Sequence, residues 1–472
     1  MLVCHSLLGG SAPAVLLAAL FAIEPLRAQD SSQASRPAYH ALRYEEDWIA
    51  LRDPRLRTRP LDWLKYVPVA REGRVWASFG GETRLRYEQF RNPLFGSDPD
   101  DRGGYLLHRY LAHADMRLER RFRFFVQIQS ALESGRNGGP RAFDENGLDL
   151  HQAFGELFLG AGRWFAVRVG RQELDFGSSR LVSAREMVNV RQTFDGARVL
   201  VRAPRWHASA WLMRPVLVER GVFDDSPDSS RVLWGVSWVR AGWPAPGGAF
   251  AIYYIGLDRA AARFDQGVAD ERRHTVGARL TGVQGRWDFN LEANGQFGHF
   301  GEGRIRAWDA STDNGITLRG LPLRLRLGLR LDVTSGDADP SDPDLGTFNP
   351  LFPNTAYSGL SGLVGPANSI DAQPSVRAFL SPELSVTGGL TLFWRDSNRD
   401  GLYSIAVSPQ RTGTGSDARF VGRQLALELD WTTRTGVSYQ ITLTSFEAGR
   451  FLRETPPGEN VRYLLGWVTY RF

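Results

Sequence analysis

The stretch LPLRLRLGLRLDV (321–333) leaves the chain little choice of local structure. Leu323, Leu325, Leu327, Leu329, Leu331 and Val333 share one face of an extended strand, and Arg324, Arg326, Arg330 and Asp332 share the other. A helix would scatter those leucines around its cylinder, whereas a period of two gathers them on one side. The pattern recurs. Val75, Ala77, Phe79, Thr83, Leu85 and Tyr87 alternate with Glu82, Arg84, Arg86 and Glu88, and Trp287, Phe289, Leu291, Ala293 and Phe297 alternate with Asp288, Asn290, Glu292, Asn294 and Gln296. Strands that are oily on one face and ionic on the other suit a wall with lipid outside and water inside, the inverse of a soluble barrel.

Eighteen candidate strands begin near residues 74, 105, 122, 150, 164, 194, 205, 230, 248, 273, 285, 303, 321, 373, 383, 419, 436 and 461. The predicted fold class is all-β, a transmembrane antiparallel β-barrel of about 18 strands over 74–472. Connections alternate between tight turns, as at 119–121, 160–163, 203–205, 381–382 and 433–435, and long loops near 89–104, 174–193, 336–372, 396–418 and 448–460. Short periplasmic turns and long external loops are the habit of single-chain outer-membrane barrels, and an even strand number leaves both chain ends in the periplasm. Strands about 4.8 Å apart and tilted about 40° give a backbone diameter of about 35 Å, with a bore of about 15 Å before loops fold inward.

The two ends agree with that compartment. In the terminal VRYLLGWVTYRF (461–472), Phe472, Tyr470, Val468, Gly466 and Leu464 share one face. Chain ends normally fray in water, but a closed barrel pairs its last strand with its first and so removes both sheet edges. The ending resembles the C-terminal signal read by the barrel-assembly machinery. That resemblance gives Phe472, Tyr470 and Val468 an assembly role and makes the machinery an expected partner, alongside outer-membrane lipid. At the other end, PAVLLAALFAI (13–23) has the length of a signal-peptide core and is too short to span a bilayer. The expected division is a signal peptide over 1–28, an N-terminal periplasmic or lumen segment over 29–73, and the barrel. The only cysteine, Cys4, precedes the apolar core. A chain cleaved after Ala28 has no thiol, which excludes a disulfide framework or a cysteine metal site. No cofactor is expected.

The formal charge is +5, and of 57 basic residues only Lys65 is lysine. Arginine-rich coding would produce this bias without any function. An arginine fork nonetheless binds a carboxylate through two parallel hydrogen bonds.

Several stretches resemble the alginate export family of outer-membrane barrels: RYEEDWIALRDP (43–54), DWLKYVPV (62–69), GGETRLRYEQFRNPLFG (80–96), RYLAHADMRL (109–118), VGRQELDFGSSRLVSAREMVNVRQTFDGARV (169–199) and SGDADPSDPDLGTFNPLFPNTAYSG (335–359). The resemblance implies an eighteen-stranded barrel whose lumen, lined by arginines and carboxylates, passes an anionic polysaccharide from periplasm to cell surface, with a periplasmic export complex as a further partner. It places Arg84 and Arg86 in the first strand, Arg109 in the second, and Arg168, Arg171 and Arg198 around the long third loop. One departure stands out. The exporter type carries a long late periplasmic loop, but the corresponding turn here, 433–435, is very short.

The inward arginines have two readings. In one, Arg84, Arg86, Arg109, Arg123, Arg168, Arg198, Arg324, Arg326, Arg330 and Arg377 make a positive bore for carboxylate-bearing sugars. In the other, they pair with Glu82, Asp115, Glu133, Glu156, Asp332 and Glu428 in ladders that hold the wall together. The expected function is a channel for alginate-like polysaccharide, with a porin for small anionic solutes as the alternative. No nucleic-acid partner is expected. The histidines are scattered without a nucleophile or orienting carboxylate in a recognisable motif, so no enzyme is expected. RDSNRDG (395–401) offers Asp396, Asn398 and Asp400 as a weak calcium candidate, but Val407 stands where a bidentate Glu is required. Asp337, Asp339, Asp342 and Asp344 form a second acidic loop.

Overall fold

The computed structural model describes residues 36–70, 73–160, 162–320 and 323–472. The predicted signal segment and the predicted strand start at 321 lie outside them. Eighteen strands form the wall: β1 Val75–Arg91, β2 Asp101–Leu118, β3 Phe122–Ser134, β4 Asn146–Leu159, β5 Phe165–Gln172, β6 Phe194–Ala203, β7 Trp206–Leu217, β8 Arg231–Ala241, β9 Ala249–Phe264, β10 Gly267–Gln284, β11 Trp287–Phe300, β12 Gly303–Leu318, β13 Arg324–Thr334, β14 Ser369–Phe379, β15 Leu384–Trp394, β16 Phe420–Thr432, β17 Val437–Ala448 and β18 Val461–Arg471. Two short flanking strands, Val67–Ala70 and Ser226–Pro227, bring the sheet to 20. Each wall strand pairs antiparallel with its chain neighbour, and β18 closes on β1 from Glu82 opposite Arg471 to Arg91 opposite Arg462. The terminal residue joins the seam, since Gly81 and Phe472 exchange backbone hydrogen bonds of 2.9 and 3.1 Å. No helix among the described residues is long and apolar enough to cross a membrane. The backbone groups of the wall are satisfied by strand pairing instead.

The outer face is apolar. Phe79, Leu85, Phe124, Val126, Leu212, Leu327, Leu329, Leu425 and Leu443 are all exposed there. Val468 and Tyr470 lie opposite Leu85 and Thr83 on this same face, as the C-terminal alternation implied.

Four strands start earlier than their sequence pattern does. These are β2 at Asp101, β4 at Asn146, β10 at Gly267 and β14 at Ser369, where alternation suggested 105, 150, 273 and 373. All four starts are at the long-loop end, where the ladder continues beyond the apolar belt and alternate residues need no longer be oily. The long-and-short rhythm also fails twice, because β9–β10 and β11–β12 are tall hairpins turned by only 265–266 and 301–302.

The lumen is partly filled from both ends. Loops 173–193, 335–368 and 395–419 bring Leu174, Leu181, Val182, Phe348, Phe352, Tyr403 and Val407 into one buried cluster with Phe194, Trp211, Met213, Leu233, Ile255 and Leu257. The inner faces of β6 to β9 are therefore apolar in this region, against the polar-in expectation, because loops rather than water cover them. From the short-turn end, segment 36–66 docks through Trp48, Leu51 and Tyr66 against Trp76. Arg43 ties it to the seam by donating to the carbonyls of Gly81 (2.9 Å) and Phe472 (3.0 Å).

Candidate transport lumen

The inner face of β1 and β2 carries an arginine and carboxylate network that alternation alone aims inward. Glu82 accepts from Arg109 Nε (2.9 Å) and Nη2 (2.6 Å) through one oxygen and from Arg471 Nε (2.8 Å) through the other. Above it, loop 173–193 inserts Glu186. One Glu186 oxygen meets Arg84, Arg109 (3.0 Å) and Arg471 (3.0 Å), and the other meets Arg191. Burial alone would raise the Glu186 pKa, but Arg191, Arg109 and Arg84 outweigh it and hold this carboxyl well below the usual carboxylate range. Arg191 continues to Glu173 (2.7 Å), which also holds His151 Nε2 (2.8 Å). The same loop reaches the opposite wall, where Arg180 pairs with Asp309 of β12 (2.9 Å) and Asp332 of β13. Ser178 bonds Glu292 of β11. Loop 173–193 is thus a strap across the lumen, tied by side chains at both ends.

A second group lies toward the short-turn end. Arg123 bonds Asp115 (2.8 Å) and reaches Glu156 (3.5 Å), and Arg168 shares Glu156 (3.2 Å). Arg117 bridges Asp115 (3.2 Å) to Asp47 of the N-terminal segment (2.8 Å). The Arg168 guanidinium lies 4.3 Å from both the Tyr44 and the Phe154 rings. Arg198 stands directly opposite Arg168 on β6 and makes no ion pair among the described residues. Arg168 Nε and Nη1 and Arg198 Nε lack hydrogen-bond partners there.

The far wall is more open. Arg326 bonds Asp288 (2.5 Å) and Asp313 (3.1 Å), Arg330 shares Asp313 (3.3 Å), and Arg377 bonds Asp430 (3.1 Å). Arg324 stacks on Phe379 at 3.9 Å, and Glu428 accepts from Gln440 (2.6 Å). Side-chain exposure is 0% for Arg109 and 2% for Arg168, against 26% for Arg330, 24% for Arg377 and 35% for Asp430, with only Glu186 (27%) and Arg471 (24%) of the network comparably open. A solvent-lined strip therefore runs along β11 to β16 beside the strap, and the anchoring network meets water at Glu186 and Arg471.

Several sequence expectations need correction. Arg171 is not a lumen residue. It lies opposite Ala153 and Asp195 in a row with Val126, which is 44% exposed on the outer face, and it pairs with Asp195 (2.9 Å). Arg168 and Arg171 are three apart, so a strand cannot point both inward. Arg86 pairs with Glu88 rather than with a predicted acid. Glu133 accepts the Arg136 backbone N–H (2.7 Å) and caps a loop. The calcium candidate is a loop scaffold: Asp396 accepts Gly336 N–H, while Asp400 accepts Asp337 N–H, Thr347 Oγ1, Gly401 N–H and Tyr403 OH. Burial pushes Asp400 up to about 6 despite those donors. Asp337, Asp339, Asp342 and Asp344 likewise accept nearby backbone N–H groups. Sequence reasoning missed Glu186, Arg180, Arg191, Glu173 and Arg471. A loop as charged as 173–193 was the available signal, but nothing in its spacing says that it turns inward.

A closed wall of eighteen antiparallel strands, apolar outside and ionic within, defines an outer-membrane β-barrel channel. Solved structures share that fold. Among them are OccD3 (OpdP) of Pseudomonas aeruginosa (14% identity, 84% of this chain and 91% of that one, TM-score 0.56) and OccAB1 of Acinetobacter baumannii (12%, 84% and 96%, 0.55). OccK2 (OpdF) of Pseudomonas aeruginosa, solved in complex with glucuronate, is similar too (11%, 84% and 98%, 0.55). No curated protein matches the chain. The family model for alginate export matches residues 75–464, and the chain belongs to that family.

Proposed function

We propose that this channel passes carboxylate-bearing saccharides of the uronate class. The observation that carries the reading is Glu186, a carboxylate held in the lumen by Arg84, Arg109, Arg191 and Arg471. A bore that wraps one carboxylate in four guanidiniums has the chemistry to bind another, and the part-exposed Arg471, Arg330 and Arg377 can present it. With the strap tied to both walls, the open strip along β11 to β16 favours small uronates over a bulky polymer. The glucuronate bound by the OccK2 neighbour supports that choice. Export of an alginate-like polymer is the second reading, supported by the family match, and requires release of the strap. In both readings residues 1–28 direct secretion, the described residues 36–66 of the N-terminal segment close the periplasmic mouth, Phe472 serves assembly, and the long loops face outward.

Uptake into proteoliposomes tests this directly. Glucuronate is expected to enter faster than glucose, a neutral sugar of nearly the same size, and equal rates would overturn the carboxylate reading. Passage of long oligouronates through the wild type would favour the export reading instead.

A further inference from the structure

At the short-turn end of β6 to β10 the wall carries cations and no acids. Carboxylates are absent from 196–218, 229–257 and 272–287, which hold that end of all five strands and the turns between β6 and β7 and between β8 and β9. The next acid along the chain, Asp288, faces the lumen, where Arg326 holds it (2.5 Å). Arg240 is the last residue but one of β8, exposed, and in the same outward row as Val236, which is 52% exposed. Trp206 of β7 and Phe250 of β9 stand directly opposite it on either side. Arg205 is exposed at the β6–β7 turn, and its carbonyl accepts the N–H of Ala241, the residue after Arg240 (2.9 Å).

Neither Arg205 nor Arg240 makes an ion pair among the described residues, and two exposed indoles frame them. Trp206 lies beside both, and the Trp243 ring meets Phe250 edge-on at 5.4 Å. Aromatic side chains of this kind mark the border between hydrocarbon and headgroups. By contrast, Arg171, Arg272 and Arg423, which face outward at the long-loop end, are each paired: with Asp195, Asp258 and Glu447.

We propose that Arg205 and Arg240 form a docking site for the headgroup of an anionic glycerophospholipid of the phosphatidylglycerol type. Its assignment to the periplasmic leaflet rests on the reading that the long loops face outward. Each guanidinium fork presents paired donors to the two free oxygens of a phosphodiester, and with no acid on the adjoining strand ends the two positive charges stand uncompensated. Toward the midplane the same surface continues as Leu212, Val236 and Ile252, all exposed, where the acyl chains of the same molecule pack. Arg240 points sideways from the wall rather than down from a turn. A soluble acidic partner at the mouth would gain nothing from the apolar surface, whereas a lipid against the wall uses the headgroup site and the chain site together.

The test uses the refolded full-length barrel in mixed micelles containing phosphatidylglycerol and phosphatidylcholine in equal amounts and with the same acyl chains, with retained lipid read by native mass spectrometry. Both headgroups carry the phosphodiester, but only the first is net anionic. Wild type is expected to retain phosphatidylglycerol about tenfold or more above phosphatidylcholine. The double variant R205Q/R240Q, checked for heat-modifiable migration, loses that preference. Arg423→Gln, already neutralised by Glu447, keeps it. Equal retention of the two lipids by wild type, undiminished preference in the double variant, or an equal loss in Arg423→Gln would each overturn the site. Equal retention together with polyglutamate bound through the same two arginines would assign them to a soluble acidic partner instead. Glucuronate uptake is read separately, so the lipid site and the channel reading can fail independently.

Discussion

Replacing Glu186 by Gln removes the one carboxylate that loop 173–193 contributes to the cradle. Arg84, Arg109, Arg191 and Arg471 then share only Glu82 and Glu173, so the local charge rises by one. The strap itself should stay in place. Arg84 and Arg109 also donate to the Glu186 carbonyl (3.0 and 3.2 Å), Arg109 donates to the Val188 carbonyl (2.9 Å), and Arg180 holds the far wall. For an anion passing about 8 Å away, one added positive charge is worth about 2 kcal/mol at an effective permittivity of about 20. Screening over about 8 Å at physiological salt leaves about 0.8 kcal/mol, or about fourfold in anion occupancy. In about 0.01 M salt, where the screening length is about 30 Å, about 1.6 kcal/mol survives, or about fifteenfold. Reversal potentials in planar bilayers at the two salts should therefore move toward anions, and further in low salt. Because the surrounding arginines hold Glu186 well below the ordinary carboxylate range, its tie is lost only as pH falls beneath that range. The Glu186 tie should accordingly persist from about pH 7 to about pH 5. Unchanged selectivity of the variant at both salts would refute the cradle as part of the anion path.

Three other perturbations probe separate parts of the molecule. Changing Arg324, Arg326 and Arg330 together to Glu should leave assembly intact and move selectivity toward cations. These side chains face water, whereas on the lipid face each would cost about 2 to 4 kcal/mol at the midplane; a folded triple variant with wild-type selectivity would reduce them to wall-pairing groups. Deleting Phe472 removes the backbone exchange with Gly81 and should abolish outer-membrane assembly while periplasmic delivery continues; heat-modifiable migration at wild-type levels would contradict this. Burial pulls Lys65, enclosed by Tyr39 and Trp48 at 5.4 and 5.0 Å, down to about 7. Between that value and its ordinary one the docked segment binds fewer protons than the released one, so docking strengthens as pH rises through that window. Proteolysis of 36–66 should be faster at about pH 6 than at about pH 9, and Lys65→Met should flatten the difference; a pH-independent wild type would refute the linkage.

The wall was legible because lipid enforces period two at every strand. β3, β6, β12 and β18 begin at 122, 194, 303 and 461, where the alternation put them. It became illegible wherever lipid stops dictating. The early starts of β2, β4, β10 and β14 lie above the belt, and the apolar inner residues Trp211, Met213 and Leu233 answer to loops that arrive from far along the chain. Arg84, Arg109 and Arg326 point inward because their strand neighbours are oily, and a single sequence suffices to see it. That Glu186 rather than a solute sits among them depends on how loop 173–193 folds, which no local pattern encodes. Arg171 misled because family likeness carried it into the lumen against its own strand parity.

The most direct test of the central claim is block of single-channel current by glucuronate and by its oligomers, compared with neutral sugars of matched length. The account requires anion-selective current that uronates block and neutral sugars leave untouched, with the block weakening in the triple variant of Arg324, Arg326 and Arg330. Current that discriminates neither charge nor uronate would contradict it.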